Sequence, residues 1–205
     1  MSVQPQSQSS LSTHDEQILV VKREKLFPQG AWHGLHAANM EEYLAIIEQE
    51  QEFLPRSLME TDPTYKQIIP YLIFTYKDTY FLMQRQAKAS EQRLKNKYSL
   101  GIGGHIRQED ITSKSIIDWA QREFEEEVFY QGSYKVQPLG ILNDDSNPVG
   151  EVHLGFVLLL EGDSSNITVK SELKSGQLVS LAECTNYYEN LENWSQIVLG
   201  FLKKS

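Results

Sequence analysis

The sequence predicts an α/β layered domain, and three observations carry that reading. Two β-rich segments, 68–76 and 79–86, are separated by a two-residue turn. A strongly amphipathic helix follows at 113–130. Two more strands, 133–142 and 151–162, come after it. The chain has 205 residues, 40% hydrophobic and 23% charged, which makes one globular domain or one domain with an elaboration. A chain of this size buries about 70% of the surface that it exposes when unfolded.

The elements read in order as follows. Residues 1–15 are polar and Ser/Gln-rich, with nothing to bury, and read as a disordered tail. QILVVKREKLF, 17–27, reads as a strand. Asn39 with Glu42 resembles a helix-capping pair, and Met40, Leu44, Ile47 and Leu54 recur at helical spacing, giving a helix that ends near Pro55. IIPYLIFTY and TYFLMQRQ form the hairpin, with Lys77-Asp78 as its turn. A polar, basic stretch leads to YSLGIGGHI, a short strand running into a glycine turn. SKSIIDWAQREFEEEVFY is the strongest helix, stopping at Gly132. SYKVQPLGIL and EVHLGFVLLLEG are strands joined by the turn-rich NDDSNPVG. QLVSL is a short strand, and YYENLENWSQIVLGFLKK closes the chain as an amphipathic helix.

Lys and Arg number 19 against 28 Asp and Glu, a formal charge of −9. That weighs against a nucleic-acid partner, which normally meets a basic face. A phosphorylated small molecule stays open, if something positive stands between carboxylates and phosphates. The single cysteine, Cys184, excludes an internal disulfide framework and a multi-cysteine zinc site. The N-terminal residues have no apolar run of a secretory leader, and the longest apolar runs are strand-length. A soluble cytoplasmic protein with no membrane partner is expected.

At 100° per residue, Ile117, Ala120, Phe124 and Val128 form an apolar stripe on the central helix. Glu123, Glu126 and Glu127, at i, i+3 and i+4, form a second stripe beside it, while Asp118 and Glu125 point away. Like charges so placed repel, and a hard divalent cation offsets the repulsion because Mg²⁺ and Mn²⁺ favour oxygen ligands. A solvated acidic surface is the plain alternative. Three features point away from it: the acidic stripe abuts the core stripe, Arg122 leads the run, and a Gly-Gly turn precedes the helix.

Gly103-Gly104 followed by Arg122-Glu123-Phe124-Glu125-Glu126-Glu127 resembles the Nudix box: Gly, five residues, Glu, seven residues, then Arg-Glu-apolar-any-Glu-Glu-any-Gly-apolar. Gly104 matches the box glycine, Phe124 the apolar position, and Asp110 replaces the early glutamate. Eleven residues instead of seven separate Asp110 from Arg122, and Phe129 stands where the box has its second glycine. The order of hairpin, glycine turn, helix and later strands over about 66–185 also resembles that family. KYSLGIGGHI and LFPQGAWHGL resemble a bacterial group of MutT-type phosphoesterases. The resemblance implies a Nudix-type α/β/α sandwich around a mixed β-sheet, residues 66–205, with 16–65 as an N-terminal strand-helix elaboration.

It also implies a hydrolase of the diphosphate linkage in a nucleoside diphosphate joined to another moiety, or in a related organic pyrophosphate. Mg²⁺ or Mn²⁺ would be held by Glu123, Glu126, Glu127 and the Gly104 carbonyl, with Arg122 orienting the glutamates. The general base is left open among Glu127, Glu151 and Glu172. Arg85, at the end of a hairpin strand, and His105, after the glycine turn, are candidate substrate contacts, as are Glu151 and Glu172. Trp32 could act in a lid or a packing contact, and a homodimer is a second partner the reading allows. Two other readings stand beside the hydrolase. An isopentenyl-diphosphate isomerase-like enzyme shares MQRQ and GGHI, although its catalytic cysteine would fall at Gly103. A non-catalytic nucleotide-sensing domain would not need three crowded carboxylates.

Overall fold

The computed structural model describes residues 15–37, 40–85, 97–110, 116–170 and 173–204. The tail, Asn39, most of the basic stretch, Glu172 and the side chains of Arg85 and Asp110 lie outside the described residues.

The chain begins with strand β1 (Gln17–Lys22), a helical turn α1 (Arg23–Leu26) and strand β2 (Gly34–His36). Helix α2 (Met40–Glu50), strand β3 (Glu52–Pro55) and a turn α3 (Arg56–Met59) follow. The hairpin is β4 (Tyr65–Tyr76) and β5 (Thr79–Arg85), then come β6 (Tyr98–Ser99) and β7 (Gly101–Gly103). Helix α4 (Ile116–Glu127) runs into β8 (Val128–Tyr130). β9 (Tyr134–Asn143), α5 (Pro148–Glu151), β10 (His153–Gly162), β11 (Ile167–Val169), β12 (Leu173–Ser180), α6 (Leu181–Asn186) and α7 (Asn193–Leu202) complete it.

Among the described residues a ten-stranded mixed sheet runs β12-β5-β4-β10-β9-β2 along its main path. β10 lies parallel to β4, with Leu158 opposite Leu72, and antiparallel to β9 on its other side. The opposite edge of β4 is shared by three partners: β1 at Tyr65–Gln67, β7 at Tyr71–Ile73 and β5 at Thr75–Tyr76. Pro70, with no N–H to give a ladder, lies where that edge passes from β1 to β7. The gap lets the chain leave β7 through Gly103 and Gly104 and cross to β1, where Leu19 N donates to the Ile106 carbonyl at 2.8 Å.

Side chains alternate across the central strands, as a sheet covered on both faces requires. Leu72, Phe74, Leu158 and Leu160 pack against Ala120 and Phe124 of α4. Tyr71, Ile73, Val157 and Leu159 pack on the other face with Cys184 of α6 and Val198 and Leu199 of α7. The layers are therefore α/β/α, as the sequence predicts. Among the described residues no helix is long and apolar enough to cross a membrane.

Several sequence expectations change, and the closing helix, read over 187–204, spans only Asn193–Leu202. The strand at 17–27 stops at Lys22, and Arg23–Leu26 make a helical turn. The first helix ends at Glu50; Glu52–Pro55 instead pair with β1, Leu54 opposite Ile18, because that edge offers ladder partners and an apolar neighbour. The central helix does not reach Gly132. Val128-Phe129-Tyr130 are β-formers that pair with Ile167–Val169, and this pairing ends α4 at Glu127. Its apolar stripe is Ile116, Trp119, Ala120 and Phe124, whereas Ile117 is 45% exposed. The NDDSNPVG turn contains a helical turn, capped by Asn147, whose side chain accepts from Val149 N and Gly150 N.

Residues 15–65 are tied into the same sheet. Lys66, 0% exposed, donates from Nζ to Asp145 Oδ1 at 2.8 Å, the Gly150 carbonyl at 2.9 Å and the His153 carbonyl at 3.2 Å. Arg23 of α1 pairs with the same Asp145 carboxylate, and Asn143 Nδ2 donates to it at 3.1 Å. Burial alone would raise the Asp145 pKa. The hydrogen bonds from Arg23, Lys66 and Asn143 outweigh that and hold it well below the usual carboxylate range.

Candidate active site

The register of α4 is fixed by its buried face. Phe124 stacks on Phe74 with ring centroids 5.8 Å apart, and Trp119 and Ala120 are buried beside it. With those residues inward, the 3.6 period places Glu123, Glu126 and Glu127 together at the border of the core. Glu123 points at the glycine turn. A methyl group added to Gly104 would stand 2.2 Å from one Glu123 carboxylate oxygen and 2.4 Å from the other, so the missing side chain is the space the carboxylate uses. Burial pushes the Glu123 pKa up to about 7, and the charges of Glu126 and Glu127 push the same way. Arg122 donates from Nη1 to Glu126 Oε1 at 2.7 Å, one turn along the helix.

The Gly104 contact gives a prediction. In Gly104→Ala the Cβ must move the Glu123 carboxylate, the flexible end of a side chain, so the thermal midpoint should shift little. Hydrolysis should fall on the order of 100-fold, the effect of an ångström-scale misplacement. Equal activity in the two proteins would mean that this carboxylate position is not used.

His105 enters a buried polar chain. His153 Nδ1 lies 2.6 Å from the Val149 carbonyl, which can only accept, so Nδ1 carries the proton and Nε2 accepts. His105 Nε2 lies 2.6 Å from Gln67 Oε1 and 3.3 Å from His153 Nε2. Gln67 Nε2 donates to the Met59 carbonyl at 3.0 Å, which turns its oxygen toward His105. His105 therefore donates from Nε2 and stays neutral. Burial drives its pKa down to about 3, aided by the charge of Arg56 and by His153.

The other candidates are more scattered. Glu151 ends α5, exposed, and its carbonyl accepts from Arg23 Nη1 at 3.3 Å. Arg85 is the last residue of β5, its backbone paired with Leu173. Trp32 is stacked on His36 and edge-on to Phe27 and Tyr43, a packing arrangement. Sequence reasoning missed Gln67 and His153, and it missed Arg107, whose Nη2 lies 4.0 Å from Glu126 Oε1. The only signal for Arg107 was a cation three residues beyond the box glycine.

The donor set fits a hard divalent cation in its chemistry. It is all oxygen, from three carboxylates on one helix border, one of them seated against the glycine turn, with mutual repulsion that a cation would relieve. Among the described residues no three His, Cys, Asp or Glu side chains already converge on one point. Glu126 would have to turn from Arg122 to join Glu123.

No family model matches the chain. Protein YmaB of Bacillus subtilis (strain 168) is 33% identical over 207 residues, 92% of this chain and 98% of YmaB. The crystal structure of Tm1382, provisionally named a Nudix hydrolase, is 32% identical, with a TM-score of 0.78 over 91% of this chain and 98% of Tm1382. The chain belongs to the Nudix hydrolase superfamily. The Nudix domain of Shewanella oneidensis NrtR, solved with ADP-ribose, shares the fold at 9% identity, with a TM-score of 0.52 over 68% of this chain and 89% of that one.

Proposed function

We propose that this Nudix enzyme is a Mg²⁺- or Mn²⁺-dependent pyrophosphohydrolase acting on a nucleoside diphosphate linked to another moiety, or on a related organic pyrophosphate. The observation that carries the reading is the Glu123 carboxylate seated on Gly104, on the helix border that also bears Glu126 and Glu127. Those three glutamates and the Gly104 carbonyl would hold the cation. When bound, a divalent cation lowers the pKa of a water and takes up charge from diphosphate oxygens. Arg122 steers Glu126 through their ion pair. The base that accepts the water's proton is one of Glu127, Glu151 and Glu172. Arg85 and His105 remain proposed substrate contacts, His105 through an atom other than Nε2. Cys184 weighs against the isomerase alternative: it is buried, and burial pushes its thiol up to about 11.

A panel of nucleoside triphosphates, ADP-ribose, dinucleoside polyphosphates, NADH, nucleotide sugars and coenzyme A, with Mg²⁺ and with Mn²⁺, tests this. At least one member should yield a phosphomonoester and a second phosphorylated product, and a chelator should stop the reaction. Cleavage of none of them under either metal would overturn the proposal and favour a ligand-sensing domain.

A further inference from the structure

A chain of charges runs from the N-terminal segment into the site. Glu16, just before β1, divides its carboxylate between two arginines: Oε2 meets Arg56 Nη1 at 2.9 Å, and Oε1 lies 3.9 Å from Arg107 Nη1. Arg56 N also donates to the Glu16 carbonyl at 2.8 Å, which fixes Glu16 at the backbone as well. Arg107 is itself held by the β1 edge, bridged to Ile18. Its side chain is 31% exposed, and among its contacts are three carboxylates: Glu16 at 3.9 Å, Glu109 at 3.8 Å and Glu126 at 4.0 Å. Arg122 meets the same Glu126 oxygen at 2.7 Å.

One carboxylate oxygen thus faces two guanidiniums. If Glu126 gives that oxygen to a cation, Arg122 keeps its place one turn away on the same helix. Arg107 then loses a 4.0 Å contact and stays beside the glutamates that would hold the cation. A guanidinium fork matches two phosphate oxygens. In a chain of formal charge −9, such a cation beside the glutamates is what a diphosphate needs.

We propose that Arg107 is a diphosphate-binding residue and that Glu16, supplied by the N-terminal segment, is the positioning residue that aims it. The inference rests on the hydrolase reading above, and it gives the segment before β4 a part in substrate binding.

The test uses the full chain as Arg107→Ala, Arg107→Lys and Glu16→Gln. Three quantities are read: KM and kcat on a cleaved member of the panel, affinity for methylenediphosphonate with Mg²⁺, and Mn²⁺ affinity by electron paramagnetic resonance. Arg107→Ala should weaken methylenediphosphonate roughly ten- to a hundredfold, the loss of one or two charge-assisted hydrogen bonds, and raise KM in step. Its Mn²⁺ affinity should hold or rise, since Arg107 is not a ligand and its positive charge opposes the cation. Arg107→Lys should recover part of the loss, because charge returns without the fork. Glu16→Gln should raise KM by a smaller factor, which a purely structural role would not move apart from stability. Unchanged methylenediphosphonate affinity in Arg107→Ala overturns the inference, and so does a loss matched by an equal loss of Mn²⁺ affinity. Failure of the hydrolase reading looks different: the wild type cleaves nothing. In that case the methylenediphosphonate comparison still decides about Arg107, and a wild type that does not bind it sinks both.

Discussion

Glu126→Gln is expected to lower turnover roughly 10²- to 10⁴-fold. A metal ligand supplies several kcal/mol of charge stabilisation to the reacting diphosphate, and each 1.36 kcal/mol is a factor of ten. Folding should be almost untouched. The Glu126 side chain is 52% exposed, and the substitution removes one i,i+4 ion pair with Arg122, worth about 0.3–0.5 kcal/mol. The result to look for is therefore a nearly silent thermal melt beside a nearly dead enzyme. A variant that keeps full activity on every substrate the wild type cleaves would remove Glu126 from the metal site.

The largest effect on stability should come from Asp145→Ala, a residue outside the proposed metal site. Lys66 is fully buried, and its burial pulls its pKa down against the hydrogen bond it donates to Asp145. Without the carboxylate the ammonium keeps two backbone carbonyls and only the weaker pull of Asp144 as counter-charge. Breaking a buried pair in this way costs about 3–5 kcal/mol, or roughly 6–20 °C in thermal midpoint for a chain of this length. Lys66→Met should cost less, because Asp145 retains Arg23 and Asn143. The pH dependence has a definite sign. Asp145 has a folded pKa below its unfolded value, so its contribution is present at neutral pH and is lost as pH falls below about 4. Wild type and Asp145→Ala should converge in urea titrations toward low pH. A destabilisation under about 1 kcal/mol at pH 7 would mean that the cluster does not hold the N-terminal segment to the sheet.

What the sequence reveals and what it conceals follow from the range of the interactions. The hairpin turn at Lys77-Asp78 and the acidic border of α4 are local patterns, readable from spacing alone. The box glycine and glutamates are legible as a motif, and their contact confirms that Gly104 and Glu123 are brought together. Ile117 was misplaced by one position, because Ile116 and Ile117 fit the 3.6 period almost equally and Trp119 decides between them by its packing. Val128–Tyr130 looked helical because their strand partner, β11, lies more than 35 residues further on. β3 was hidden for the same reason, since the pairing of Leu54 with Ile18 spans the whole first helix. Arg107 and Glu16 are about ninety residues apart, and neither carries a pattern that links it to the other. Lys66 and Asp145 are 79 residues apart and share no local pattern; the sheet buries Lys66 against that carboxylate.

The proposed chemistry requires that α4 and Gly104 form a divalent-cation site. The most direct measurement is a Mn²⁺ titration followed by electron paramagnetic resonance, on the wild type and on Glu123→Gln/Glu126→Gln, with no substrate present. The wild type should take up Mn²⁺, and the double variant, still folded by circular dichroism, should bind it at least about a hundredfold more weakly. Equal uptake by the two proteins would contradict the account and place the cation elsewhere.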